Sequence, residues 1–131
     1  MEWDIAMMRG RVDQASALEY RTIDLSRDDF GWAMAAAPDG RLIVGGRTDY
    51  LQVDTNSEVE NGKGLLLILG PDLTREAVLQ LPMPRDVQMR AVHVLPDGDL
   101  AFAGTRDGPL THTDPSITHN DGFWGVAHIG R

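Results

Sequence analysis

The feature that most constrains this chain is an internal repeat. Ala37-Pro38-Asp39-Gly40-Arg41-Leu42-Ile43-Val44-Gly45-Gly46 and Leu95-Pro96-Asp97-Gly98-Asp99-Leu100-Ala101-Phe102-Ala103-Gly104 share a Pro-Asp-Gly triplet, a leucine two residues on and a closing glycine. Their offset, 98 less 40, is 58 residues. Without gaps, the same offset aligns Ala33 with Ala91, Asp49 with Asp107, Thr55 with Thr113 and Gly64 with Gly122. A fixed period of this length marks a supersecondary unit that cannot bury its apolar face alone and must stack on a neighbour. The head of the chain extends the pattern, since Ile5-Ala6-Met7-Met8-Arg9-Gly10 resembles Leu65-Leu66-Leu67-Ile68-Leu69-Gly70 at an offset of 60. Residues 1–131 therefore read as one repeat domain. Segment 1–10 is the last strand of a preceding unit, 11–70 a first unit and 71–131 a second.

Each unit supplies four apolar runs of strand length bounded by turn residues. In the first they cover 20–25, 31–37, 41–46 and 65–69, and in the second 77–81, 89–95, 100–105 and 123–129. In the Pro-Asp-Gly triplet, proline fixes φ, aspartate bonds the backbone ahead and glycine accepts positive φ, so the flanking runs form a hairpin. Ala33-Met34-Ala35-Ala36-Ala37 has helical propensity, but its copy Ala91-Val92-His93-Val94-Leu95 carries β-branched residues, so both are read as strands. Small residues there, and Gly45-Gly46, suit an inner position where backbones crowd. The expected fold is all-β: two four-stranded antiparallel propeller-like blades plus one extra strand, a partial β-propeller.

Hydrophobic residues make up 42% of the chain, which removes disorder from consideration. The formal charge of -8 repels phosphate backbones and argues against a nucleic-acid partner. No apolar run reaches the ~18 residues of a membrane helix, so no membrane insertion is expected. Met1-Glu2-Trp3-Asp4 lacks the basic start and apolar stretch of a signal peptide. With no cysteine, disulfides and thiolate metal sites are excluded.

One stretch of the second unit, Gly98-Asp99-Leu100-Ala101-Phe102-Ala103-Gly104-Thr105 followed by Asn120-Asp121-Gly122-Phe123-Trp124, carries a family resemblance. It resembles the bacterial propeller repeats of about 60 residues known as delta-60 or SBBP-type repeats. The resemblance implies a blade architecture, a larger and often secreted or cell-surface protein, and no assigned activity or catalytic residue. Members of that group carry enough units for rings of roughly six to eight blades. Two units cannot close such a ring, so the chain is expected to be a piece of a longer array or to assemble with copies of itself.

The candidate site residues lie mostly in two long loops. The first, 47–63, holds Asp49 and Asp54, and the second, 106–121, holds Asp107, Asp114 and Asp121. Their oxygen-rich chemistry suits Ca²⁺, the one cofactor to be considered, although the spacing of an EF-hand is absent. The competing reading is solvated loop, or hydrogen bonding between blades. Asp49 and Asp107 occupy matching repeat positions, which favours a loop-fixing role. His112 and His119 are too loosely placed for a zinc pair, and His128 sits on an apolar strand. Trp32, His93 and Trp124 are the candidates for ligand contact. Trp3 could likewise stack on a sugar. For Trp124, beside Phe123, packing between blades is the stronger reading. No nucleophile elbow, phosphate loop or HExxH is present. The first functional reading is thus a non-catalytic structural or interaction module, its partners being further blades or other copies of the chain. Binding of calcium or another ligand through the acidic loops is the alternative, and a carbohydrate-active lyase or hydrolase with a channel site is the second.

Overall fold

The two Pro-Asp-Gly turns are built alike. Gly40 and Gly98 both sit at φ 89°. Gly40 N–H donates to Ala37 O at 3.0 Å and Gly98 N–H to Leu95 O at 2.9 Å. Asp39 Oδ1 accepts from Arg41 N at 3.1 Å, and Asp97 Oδ1 from Asp99 N at 3.0 Å. A side chain at either glycine would force a left-handed conformation that only glycine adopts cheaply.

The structure is a computed structural model, and it describes residues 4–11, 13, 19–25, 28–50, 61–81, 87–107 and 120–129. Nine strands follow in order: β1 (Ile5–Arg9), β2 (Glu19–Ile23), β3 (Asp28–Ala36), β4 (Leu42–Tyr50), β5 (Asn61–Leu69), β6 (Arg75–Gln80), β7 (Val87–Val94), β8 (Leu100–Asp107) and β9 (Asn120–Ala127). Each overlaps one of the nine runs expected from the sequence. There is no helix among the described residues, and therefore none long and apolar enough to cross a membrane.

The strands form three antiparallel sheets, β1-β2, β3-β4-β5-β6 and β7-β8-β9. This differs from two sheets of four plus a lone strand. The first strand of each sequence unit pairs backward, β2 with β1 and β6 with β5. The reason is local for β5-β6. A tight turn, with Leu73 N–H donating to Gly70 O at 2.9 Å and Gly70 N–H to Thr74 O at 2.8 Å, folds β6 onto β5 before the chain can cross to the next sheet. Leu73 adopts φ 65° to make that turn and buries its side chain in the core, leaving it 5% exposed.

Both larger sheets carry a bulge at the same repeat position, between Gly31 and Ala33 and between Met89 and Ala91. There the backbone crowds, as expected from Gly45-Gly46 of β4. A Cβ at Gly46 would run into the Phe30 carbonyl oxygen, and one at Gly104 into that of Gln88. The bulged residues Trp32 and Arg90 meet across the sheets, the guanidinium lying 4.4 Å from the indole centroid.

The middle sheet is apolar on both faces because residues 42–44 of β4 and 65–69 of β5 are continuous hydrophobic runs. Val44, Leu65, Leu67 and Leu69 pack against Ile5, Met7 and Ile23 of the first sheet. Ile43 and Leu66 pack against Met89 and Leu100 of the third, with Val92, Phe102 and Phe123 around them. Successive residues alternate faces, so β5 alone serves two interfaces. Ile5 and Met7 face the middle sheet as Leu66 and Ile68 face the third. The head of the chain thus aligns with β5 at an offset of 61, one residue from the 60 read off the sequence. A single-residue slip exchanges the faces of a strand.

The end sheets are smaller than the middle one: among the described residues the first has two strands and the third has three. Their outer surfaces are bare, with Met8 70%, Tyr20 60%, Trp124 82% and Val126 54% exposed.

Candidate functional site

The outer face of the third sheet is the most distinctive surface of the molecule. Cross-strand partners share a face, and two rows define this one. Ala91 lies beside Ala103 and Trp124, and His93 beside Ala101 and Val126. Three alanines make a flat floor, and Trp124, Val126 and Leu95 raise its margins around a shallow cavity of about 450 Å³. At the offset of 58 the matching rows of the middle sheet are Ala33, Gly45 and Leu66, then Ala35, Ile43 and Ile68. Those rows are covered by the third sheet, leaving Ile43 0% and Leu66 2% exposed. The same surface is thus a buried interface in one repeat and open in the next.

The sequence candidates fall into separate places. Trp124 and His93 share the open face. Alternation along β9 turns Phe123 toward the core and Trp124 onto the open face. Trp32 belongs elsewhere, stacked on Phe30 with centroids 5.8 Å apart and planes 10° from parallel. His128 follows β9 and meets Asp99 Oδ1 at 2.5 Å through Nδ1. The hairpins β4-β5 and β8-β9 run further than expected, so Asp49 lies in β4 opposite Gly62, Asp107 opposite Asn120 and Asp121 opposite Arg106. The side chains of Asp49, Asp107 and Asp121 are outside the described residues, as are Asp54, Asp114, His112, His119 and Trp3.

Two polar features were not visible in the sequence. Carboxylate oxygens of Asp4, Asp24 and Asp29 lie within 4.8 Å of one another. Asp29 is 2% exposed, and its Oδ2 accepts a hydrogen bond from Leu25 N at 2.6 Å. That bond fixes the crossing from β2 to β3, a structural use of the carboxylate. The three residues share no recognisable spacing, so only the fold brings them together. The second feature is a cleft of about 460 Å³ between the two Pro-Asp-Gly turns, lined by Pro38, Asp39, Arg41, Pro96, Asp97 and His128 among others. Arg41 crosses it, paired with Asp39 at 2.8 Å and reaching Ile129 O at 3.5 Å. It thereby joins the turn to the segment that follows β9.

A scan against known protein-family models finds no match for the chain, and its sequence matches no curated protein.

Proposed function

We propose that the chain is a non-catalytic structural and interaction module of the β-propeller type, whose work is done by stacking its sheets on further sheets of the same kind. One observation carries this reading: the open rows Ala91-Ala103-Trp124 and His93-Ala101-Val126 repeat, in register, rows of the middle sheet whose centres, Ile43 and Leu66, are buried against the third. Monomeric proteins rarely leave a contiguous apolar face of this kind uncovered. In a stacked array each interface adds to stability, and the terminal faces wait for a neighbour.

The described polar groups support the same reading. Asp29 closes a chain crossing and Arg41 braces a turn, so each charge serves the frame.

Fusing a second copy of residues 71–131 to the C-terminus tests the reading. The added segment supplies a strand for the free edge of β9 and a sheet for the open face. Covering Trp124 and Val126 is worth about 1.5–3 kcal/mol for each side chain, which for a domain of this size raises Tm by roughly 10 °C. An unchanged Tm, with the added segment unfolded, would remove the stacking module as an explanation.

A further inference from the structure

From the way β1 and β9 duplicate one position, we infer that the open face of the third sheet docks a second copy of this chain, head to tail, with β9 of one copy replacing β1 of the next. The inference rests on the stacking reading above and names the partner.

Three observations carry it. The first is a strand count. The middle sheet has four strands, and the described residues form nine in all. Without β1, the remaining eight divide into two sheets of four: β3-β4-β5-β6 within a copy, and β7-β8-β9 joined by β2 of the neighbour. β1 is surplus to that arrangement.

The second is that β1 already occupies the seat β9 would take. A Cβ on Gly31 would lie 3.3 Å from Ile5 Cγ2. Gly31 is the repeat partner of Met89, which packs in the same cluster as Leu66. Ile5 therefore stands before β3 where Leu66 stands before β7. The residue of β9 equivalent to Leu66 is Trp124. Only one of β1 and β9 can lie there, and β1 has five residues against eight in β9. Exchange releases the five-residue pairing of β1 with β2 and makes β2 free to pair with β9. The β1-β2 ladder is exchanged for one between β9 and β2, and the open face of the third sheet becomes covered.

The third is size complementarity. Between the middle and third sheets Met89 and Val92 press on Gly45, where a Cβ would lie 2.9 Å from Met89 Cγ and 2.7 Å from Val92 Cγ1. At the proposed interface the repeat places Gly31 and Met34 over Ala103. The methyl group gained at 103 meets the side chain lost at 31. Met34, 62% exposed in the single chain, takes the place of Val92. β3 has a cleft of about 280 Å³ beside it, bounded by Gly31, Met34 and β1, that displacement of β1 would open to the Trp124 indole. A head-to-tail contact of this kind closes into a ring or grows as a filament.

The test uses the full chain with two variants, read by light scattering after size exclusion over a range of concentrations. Met8 and Tyr20 are directly paired between β1 and β2, at a spacing a disulfide can bridge. The chain has no cysteine of its own, so M8C/Y20C locks β1 in place when oxidised and frees it when reduced. Ala103→Glu puts a charge on the open face without touching the interior. Wild-type protein is expected to form a discrete multiple of 14.4 kDa, three or four copies for a closed ring. The oxidised lock is expected to stay a single chain and to assemble on reduction, and A103E to stay a single chain with an unchanged far-ultraviolet spectrum. Assembly of the oxidised lock or of A103E would overturn the inference, and so would a wild type that remains monomeric at all concentrations. A monomeric wild type whose Tm still rises on fusion of the extra segment would leave the stacking module standing and remove only self-docking.

Discussion

Leu66 and Trp124 occupy the same repeat position, and the structure assigns them opposite energetic weight. Leu66 is 2% exposed between the middle and third sheets, whereas Trp124 is 82% exposed on the open face. Leu66→Ala removes three carbons from a closed interface, about 2.4 kcal/mol at 0.8 kcal/mol per buried methylene. The cavity left behind brings the loss to about 3–4 kcal/mol. Against a typical total of 5–15 kcal/mol this is a large fraction of the stability of the chain. Trp124→Ala removes a far larger side chain with little buried area, and is expected to cost no more than about 0.5 kcal/mol in the single chain. Urea titration followed by circular dichroism, at concentrations where the chain is monomeric, measures both. With a slope of about 2 kcal/mol per molar, Leu66→Ala should lower the midpoint by roughly 1.5–2 M and Trp124→Ala by about 0.25 M or less. Equal losses at the two positions would refute the assignment of one face as covered and the other as open.

Further outcomes follow from the same geometry. Gly46→Ala and Gly104→Ala should each cost about 2 kcal/mol or more, since the new methyl meets a backbone carbonyl across the bulge; a neutral result in thermal melts would contradict the bulges. Arg9, at 2.6 Å, holds the Glu19 carboxyl below its ordinary value, and the hydrogen bonds from Thr74 do the same for Asp72. Both groups bind fewer protons folded than unfolded, so their contribution is present above the unfolded carboxylate values and disappears as pH falls through the lowered ones. Tm should therefore drop on acidification, with a shallower drop in E19Q; an identical profile in that variant would show that the pair contributes nothing. Calcium should leave Tm unchanged, because Asp29 already accepts from Leu25 N–H. A rise of several degrees that D29N abolishes would move the function toward ligand binding.

Much of the frame was legible in the sequence, and the physical reason is the repeat. Duplicated turns and apolar runs located all nine strands, and Gly45-Gly46 the crowding in β4, because each signal is local. Sheet membership was not legible. Whether β6 pairs backward or forward is decided by the turn at Gly70-Pro71-Asp72-Leu73, whose leucine adopts a conformation its residue type does not announce. The direction in which Trp124 points was hidden for a related reason, since neighbours in a strand face opposite ways and the offset of the head was one residue out. The Asp4-Asp24-Asp29 group has no local signal at all. What marks the open face is the comparison of one repeat with the other, Leu66 covered and Trp124 bare, which needs the fold before it can be made.

The central claim is that a middle sheet is enclosed between two smaller ones, and native-state amide hydrogen exchange by NMR tests it most directly. The slowest exchange is expected in β4 and β5, at rates set by global unfolding, with intermediate protection in β8 and faster exchange at the edge strands β6 and β9. Equal protection of β4, β5 and β9 in the monomeric chain, or slow exchange confined to β7, β8 and β9, would contradict it.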